Sequence, residues 1–305
     1  MEKSELGNST IRSSRLIYGC MRVVGDNSKL DREKGKNAIR TAVDEGFNHF
    51  DHADIYAAGQ SELLFSEVLT EAPQLRDQII ITSKCGIRLK GDSHENAPKR
   101  YDFSEHYITA SVEGSLMRLK TDYLDVLLLH RPDFLMNPKE VANVFQKLHK
   151  EGKVKHFGVS NFSPSQVRLL QSHLSMPLIV NQVEINIHNT DAFTNGILDQ
   201  CQELNISPQA WSPLSGAAYE QSTNTLSPKI KNGIEKELCT QSEKYRIEKW
   251  VVVLAWLLKH PATIFPVIGT TNSDRIKTAK QALNIDYQRE DWYRLWEARN
   301  GQAVQ

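Results

Sequence analysis

Apolar, β-branched runs recur along the chain at a fairly even beat, and the stretches between them carry helical stripes. The runs lie near residues 16–18, 47–50, 79–82, 126–129, 155–159, 179–183, 206–210 and 264–267. Asp31 is predicted to cap a helix over residues 32–45, where Ala38, Ile39, Ala42 and Val43 share one stripe. Ser104 is predicted to cap the stretch that carries Ile108, Val112, Leu116 and Leu119. Ser163-Pro164 supplies a cap and a proline at the first helical position. Asp191 is predicted to cap a further helix with Phe193, Ile197 and Cys201.

Eight strand candidates alternating with helices predict parallel β/α units. The 305 residues suit one (β/α)8 TIM barrel spanning 1–305, since such barrels take about 250 residues before insertions. A doubly wound open sheet usually places Gly-x-Gly-x-x-Gly after its first strand. Here the first run leads into Gly19-Cys20-Met21-Arg22-Val23-Val24-Gly25, which lacks that pattern. The expectation is an α/β barrel with its active site at the C-terminal face of the strands. Two long connections, 86–102 and 212–233, leave that face and are the candidate substrate loops.

Composition narrows the partners. Lys+Arg and Asp+Glu both total 37, so no global field attracts nucleic acid or anionic lipid. The four cysteines, Cys20, Cys85, Cys201 and Cys239, show no C-x-x-C pairing, which fits a reducing cytoplasm better than a zinc site or a disulfide framework. The first residues contain no apolar signal region, and no apolar stretch approaches the roughly 18 residues of a membrane span.

Four polar residues stand at or just after the ends of these runs: Asp51, Tyr56, Lys84 and His130. In α/β folds that is where active sites are built. An acid, a phenol, an ammonium and an imidazole together suit carbonyl reduction. No side chain donates hydride, so a nicotinamide cofactor is implied. Tyr56 is the expected proton donor, with Lys84 lowering its pKa toward neutrality. Asp51 is expected to pair with Lys84, and His130 to orient the substrate oxygen or help relay the proton. A metal-dependent hydrolase would need several strand-end histidines and carboxylates, whereas the strand-end histidine here is mainly His130.

These residues lie in motifs that resemble the aldo-keto reductases over essentially the whole chain, most closely the short-tailed bacterial oxidoreductase branch. The carriers are residues 46–56, from Gly46-Phe47-Asn48 to Ile55-Tyr56; Ile81-Thr82-Ser83-Lys84; 115–126, beginning Ser115-Leu116-Met117-Arg118-Leu119; and Gly158-Val159-Ser160-Asn161-Phe162. The resemblance implies a barrel that binds NADPH or NADP+ in extended form and reduces a small carbonyl substrate. It implies that Ser160, Asn161 and Gln182 hold the carboxamide and that Trp211 stacks on the nicotinamide, where many members have Tyr. Gly19 and Met21 belong to the implied cofactor set. Ser212, Leu214 and Gly216 would follow the pyrophosphate. Gly269, Thr270, Thr271 and Arg275 would form the adenosine-phosphate site, with Arg275 on the 2′-phosphate and a helix starting near Ser273 or Asp274. Thr278, Ala279 and Lys280 depart from the family's Glu and Asn at the adenine. The resemblance further implies a monomer or weak oligomer, with specificity in Met21, Arg22, residues 131–134 and the two long loops. Arg22 and Arg131 hint at tolerance for an acidic substrate, although surface salt bridges are the commoner fate of such arginines. A non-catalytic regulatory subunit, like the potassium-channel β-subunits that resemble this family, is the alternative function.

Overall fold

The eight apolar runs become the eight strands of a closed barrel in a computed structural model that describes residues 1–214 and 226–305. They are β1 Ile17–Gly19, β2 His49–Asp51, β3 Ile80–Cys85, β4 Leu124–Leu129, β5 Val154–Ser160, β6 Leu178–Glu184, β7 Ser207–Trp211 and β8 Phe265–Ile268. Each pairs in parallel with its sequence neighbours, and β8 pairs with β1 to close the ring. A parallel strand is covered on both faces, which is why these segments read as near-continuous apolar runs. All six residues of β3 and of β4 are buried.

Alternation along the strands separates two apolar layers. Val126 and Leu128 join Ile17, Ile80, Ile179, Val180, Phe265 and Val267 in one cluster. Leu124, Leu127 and Leu129 join the larger layer beneath the helices. Leu6 belongs to the first cluster and is fully buried. It lies in the connection of an antiparallel hairpin, Lys3–Glu5 with Arg12–Ser14, which sequence periodicity did not predict. The Gly7 N–H donates to Ser207 Oγ at 2.7 Å and ties this segment to β7.

Gly158 lies where β4, β5 and β6 meet. A Cβ there would stand 2.7 Å from both Leu128 Cδ2 and the Val180 carbonyl oxygen. Backbone cannot retreat as a flexible side chain can. Gly158→Ala is expected to destabilise the fold by about 1–3 kcal/mol through overpacking, read as a lowered urea midpoint by circular dichroism.

Around the barrel run α1 Lys29–Asp44, α2 Gln60–Glu71, α3 Glu105–Leu119, α4 Pro138–Lys150, α5 Pro164–Gln171, α6 Ile197–Glu203, α7 Pro228–Tyr245, α8 Lys249–Leu258, α9 Ser273–Ala279 and α10 Arg289–Asn300. Ser104 caps α3, and Ser163 caps α5 in a reciprocal box with Gln166, both as expected. Two predicted caps are corrected. Ser28, not Asp31, caps α1: its hydroxyl accepts the Asp31 N–H, which makes Asp31 a first-turn residue. Asp191 opens only a 3-10 turn, Asp191–Phe193, and α6 starts afresh after Gly196 at φ 83°. The first long connection holds a small antiparallel pair, Ile87–Arg88 with Arg100–Tyr101. The second ends earlier than expected, because Ser227 and Pro228 start α7 inside it.

Candidate active site

Lys84 is the centre of the site. Its ammonium donates to Asp51 Oδ1 at 2.5 Å, to the His52 carbonyl at 2.9 Å and to the Tyr56 hydroxyl oxygen at 3.0 Å. The Lys84 and Asp51 side chains are 0% and 3% exposed. A charge pair this dry stays ionised only when each partner is fully hydrogen-bonded, and here both are. Gln182 Nε2 donates to the second Asp51 oxygen at 2.8 Å. Burial pulls the Lys84 pKa down, but Asp51 and Tyr56 more than offset it, and the net shift is upward. Lys84 is therefore a fixed cation.

The strands position this group by register. Asp51 ends β2 opposite Thr82 of β3, two residues before Lys84. Tyr56 follows in a short 3-10 turn, Tyr56–Gly59, with Ala57 and Ala58 at φ 47° and 53°. Alanine seldom adopts that left-handed conformation, and such strain persists where surroundings over-determine the backbone. The clamp is visible. Arg118 donates to Glu62 at 2.6 Å, Ser83 donates to the other Glu62 oxygen at 2.7 Å, and the Arg118 side chain packs over Gly59. Sequence reasoning missed Glu62, although Arg118 lies in a stretch that carried the family resemblance.

Tyr56 uses its oxygen to accept from Lys84, which leaves its own hydrogen free for a substrate among the described residues. The expected pKa fall does not appear. Burial pushes the phenol above its ordinary value, Lys84 pulls it back, and Asp51 opposes Lys84. The ammonium is neutralised by its aspartate, so burial prevails, and Tyr56 is a protonated phenol at neutral pH. His130 stands edge-on to Tyr56, ring centroids 5.9 Å apart at 81°. Burial, reinforced by Lys84, Arg131 and Lys99, holds its pKa well below the ordinary value, so the ring is a neutral imidazole. Its Nδ1 is buried without a hydrogen-bond partner among the described residues.

On the opposite side an amide web joins β5, β6 and β7. Ser160 donates to the Gln182 carbonyl at 2.8 Å. Asn161, at φ 61°, donates to Ser160 Oγ at 2.8 Å and to the His130 carbonyl at 3.3 Å. Trp211 donates its indole N–H to Asn161 Oδ1 at 2.9 Å. Gln182 also donates to Gln209, a residue that no sequence pattern singled out. The structure thus gathers Ser160, Asn161, Gln182 and Trp211 as expected, already bonded to one another.

Most of the remaining predicted residues lie in or just after β1, β7 and β8. Gly19 ends β1, and a Cβ on Gly269 would stand 3.2 Å from the Gly19 carbonyl oxygen. Met21 is exposed just beyond. The Thr270 carbonyl accepts from Tyr18 at 2.9 Å, and Thr271 is half-buried beside it. Asn272 caps α9, accepting the Asp274 and Arg275 N–H groups. Those two donors are therefore occupied. Arg275 is exposed, and its guanidinium meets no acid among the described residues. Lys280 forms an ion pair with Glu45, so it is not free for a phosphate. Ser212 follows β7 at φ 49°, Leu214 packs on the apolar layer, and Gly216 lies outside the described residues.

A buried Asp–Lys–Tyr relay beside a histidine, at the C-terminal mouth of a closed parallel barrel, defines a barrel oxidoreductase site. The model of the Aldo/keto reductase family matches residues 15–300. The chain is 38% identical over 305 residues to the uncharacterized oxidoreductase YcsN of Bacillus subtilis, covering all of both chains. It is 39% identical over 292 residues to a 6-dehydroglucose reductase of Agrobacterium fabrum, covering 95% of this chain and 96% of that protein. The glycerol dehydrogenase structure from Gluconobacter oxydans superposes with a TM-score of 0.84 at 23% identity, covering 97% and 94% of the two chains, which shows the shared fold. The chain belongs to the aldo-keto reductase family.

Proposed function

We propose that this chain is an NADPH-dependent reductase that converts aldehydes or ketones to alcohols, with Tyr56 as proton donor. The observation that carries the reading is the Lys84 ammonium held between Asp51 and Tyr56. With its oxygen accepting from Lys84, the phenol meets no acceptor for its own hydrogen among the described residues, which leaves it available for a developing alkoxide. As an alkoxide forms, its charge draws that proton while Lys84 stabilises the phenolate left behind. His130, neutral beside Tyr56, can donate one N–H to the same oxygen and fix its position. The intact relay disfavours the alternative of a non-catalytic regulatory subunit.

The cofactor would supply the hydride. Trp211 offers a flat ring, and the close approach of Gly19 and Gly269 leaves backbone free of side chains along one wall. Ser160, Asn161 and Gln182 are placed to exchange some of their mutual bonds for the carboxamide. Met21, Thr270, Thr271, Ser212 and Leu214 complete the proposed lining, while Gly216 lies outside the described residues. The free guanidinium of Arg275 suits a 2′-phosphate. The name of the Agrobacterium relative supports an aldehyde-bearing sugar as one substrate. We take residues 1–305 as one barrel domain acting in the cytoplasm, where its four free thiols are stable. No helix among the described residues is long and apolar enough to cross a membrane.

Loss of NADPH absorbance with a small aromatic aldehyde tests the activity, and no turnover with any aldehyde would refute it. For the cofactor, Arg275→Ala is expected to weaken NADPH about ten- to a hundredfold and leave NADH almost untouched. One charge-assisted contact is worth roughly 1.5–3 kcal/mol. Fluorescence titration of both cofactors against both proteins decides it. Equal weakening of the two would make Arg275 structural.

A further inference from the structure

Cations gather near the site, and two of them, Arg131 and Lys99, have no counter-charge among the described residues. Arg88 and Arg100 are paired, Arg88 with Asp92 and Asp102 and Arg100 with Asp92. Lys84 is matched by Asp51. Arg131 and Lys99 meet no acid among the described residues. Arg131 directly follows His130, is half-buried, and its guanidinium carbon lies 5.3 Å from the Trp211 ring centroid. It thus lies next to His130 in the chain and against the expected nicotinamide platform.

The nearby carboxylates are engaged elsewhere. Asp133 accepts the N–H groups of Phe103 and Leu135 at 3.1 and 2.9 Å, one on each oxygen. Asp102 accepts from Arg88 and from the Ser104 N–H and hydroxyl. The charges that act on His130 are Lys84, Arg131 and Lys99, all of one sign. A partly desolvated guanidinium without a counter-ion is costly, and a planar oxyanion is the ligand it fits best.

We propose that the substrate bears an oxyanion, such as a carboxylate or phosphate, remote from its carbonyl, and that Arg131 and Lys99 recognise it while Tyr56 and His130 hold the carbonyl. The proposal rests on the reductase reading and adds the substrate class to it.

Two aldehydes that differ in one charge test it: 4-carboxybenzaldehyde and its neutral methyl ester, methyl 4-formylbenzoate. With saturating cofactor, kcat/KM is expected to favour the acid by about tenfold or more, the scale of one charge-assisted contact. The preference should shrink between about 0.01 M and about 1 M salt, as the screening length falls from about 30 Å to about 3 Å. The double variant Arg131→Met, Lys99→Ala should bring the ratio to about one, and Arg131→Lys should keep part of it. A wild-type ratio of one or less, or a preference that survives the double variant, overturns the proposal and leaves the reductase reading standing, because the ester is still reduced. If the variants do not fold, a salt-insensitive preference in the wild type overturns it instead. If neither aldehyde consumes cofactor while other neutral aldehydes do, this inference fails and the reductase reading stands; if no aldehyde does, both fail.

Discussion

Tyr56→Phe is expected to lower the rate of carbonyl reduction by about a hundredfold to ten-thousandfold, the usual contribution of a positioned general acid. The ring stays, so its edge contact with His130 and its place above Lys84 survive. Only the hydroxyl that accepts from Lys84 is removed. Cofactor affinity should hold within a few fold by fluorescence titration, and the circular dichroism spectrum should not change. Single-turnover rates with hydride transfer limiting are the measurement. Wild-type rates would mean that another group, with His130 the first candidate, delivers the proton.

Lys84→Met should cost both activity and stability. Methionine matches the length of the lysine stem but leaves Asp51 buried with Gln182 as its remaining side-chain partner. Breaking a buried ion pair by removing one member typically costs about 3–5 kcal/mol. Replacing Asp51 by Leu in the same protein should restore much of that stability, though not the activity. The pH profile gives an independent reading. Tyr56 donates only when protonated, so reduction declines as pH rises through its pKa. Burial raises that pKa and Lys84 lowers it. Without Lys84 the pKa climbs further, and the descending alkaline limb should move to higher pH while the plateau falls. Coincident profiles for the two proteins would remove the Lys84–Tyr56 coupling from the mechanism.

Much of this site was legible because strand ends are legible. An apolar run closed by a polar residue marks the mouth of a buried strand, and Asp51, Lys84 and His130 each stood in that position. The barrel itself followed from the even recurrence of those runs. The caps show where local reading stops. Ser163-Pro164 carries all its information within four residues, and the reciprocal bond to Gln166 confirms it. Ser28 takes the cap from Asp31, whereas Gly196, with no capping side chain, starts α6 beyond Asp191. The net charge on Lys84, the upward shift of Tyr56 and the Glu62–Arg118 clamp depend on contacts between distant segments. Burial and pairing set them together, and no spacing rule encodes that balance. The polar hairpin of residues 3–14 offered only three-residue strands, too short for periodicity to register.

That hairpin also dictates an order of assembly. Leu6 belongs to the inner layer with Phe265 and Val267, and Gly7 donates to Ser207, 200 residues further along. During synthesis the first dozen residues leave the ribosome long before their partners exist. They must wait, undocked, until the strands that carry Ser207, Phe265 and Val267 have been made. Closure of the barrel floor therefore cannot precede synthesis of β7 and β8, and a nascent chain that lacks them exposes Leu6 and the strand interiors to chaperones.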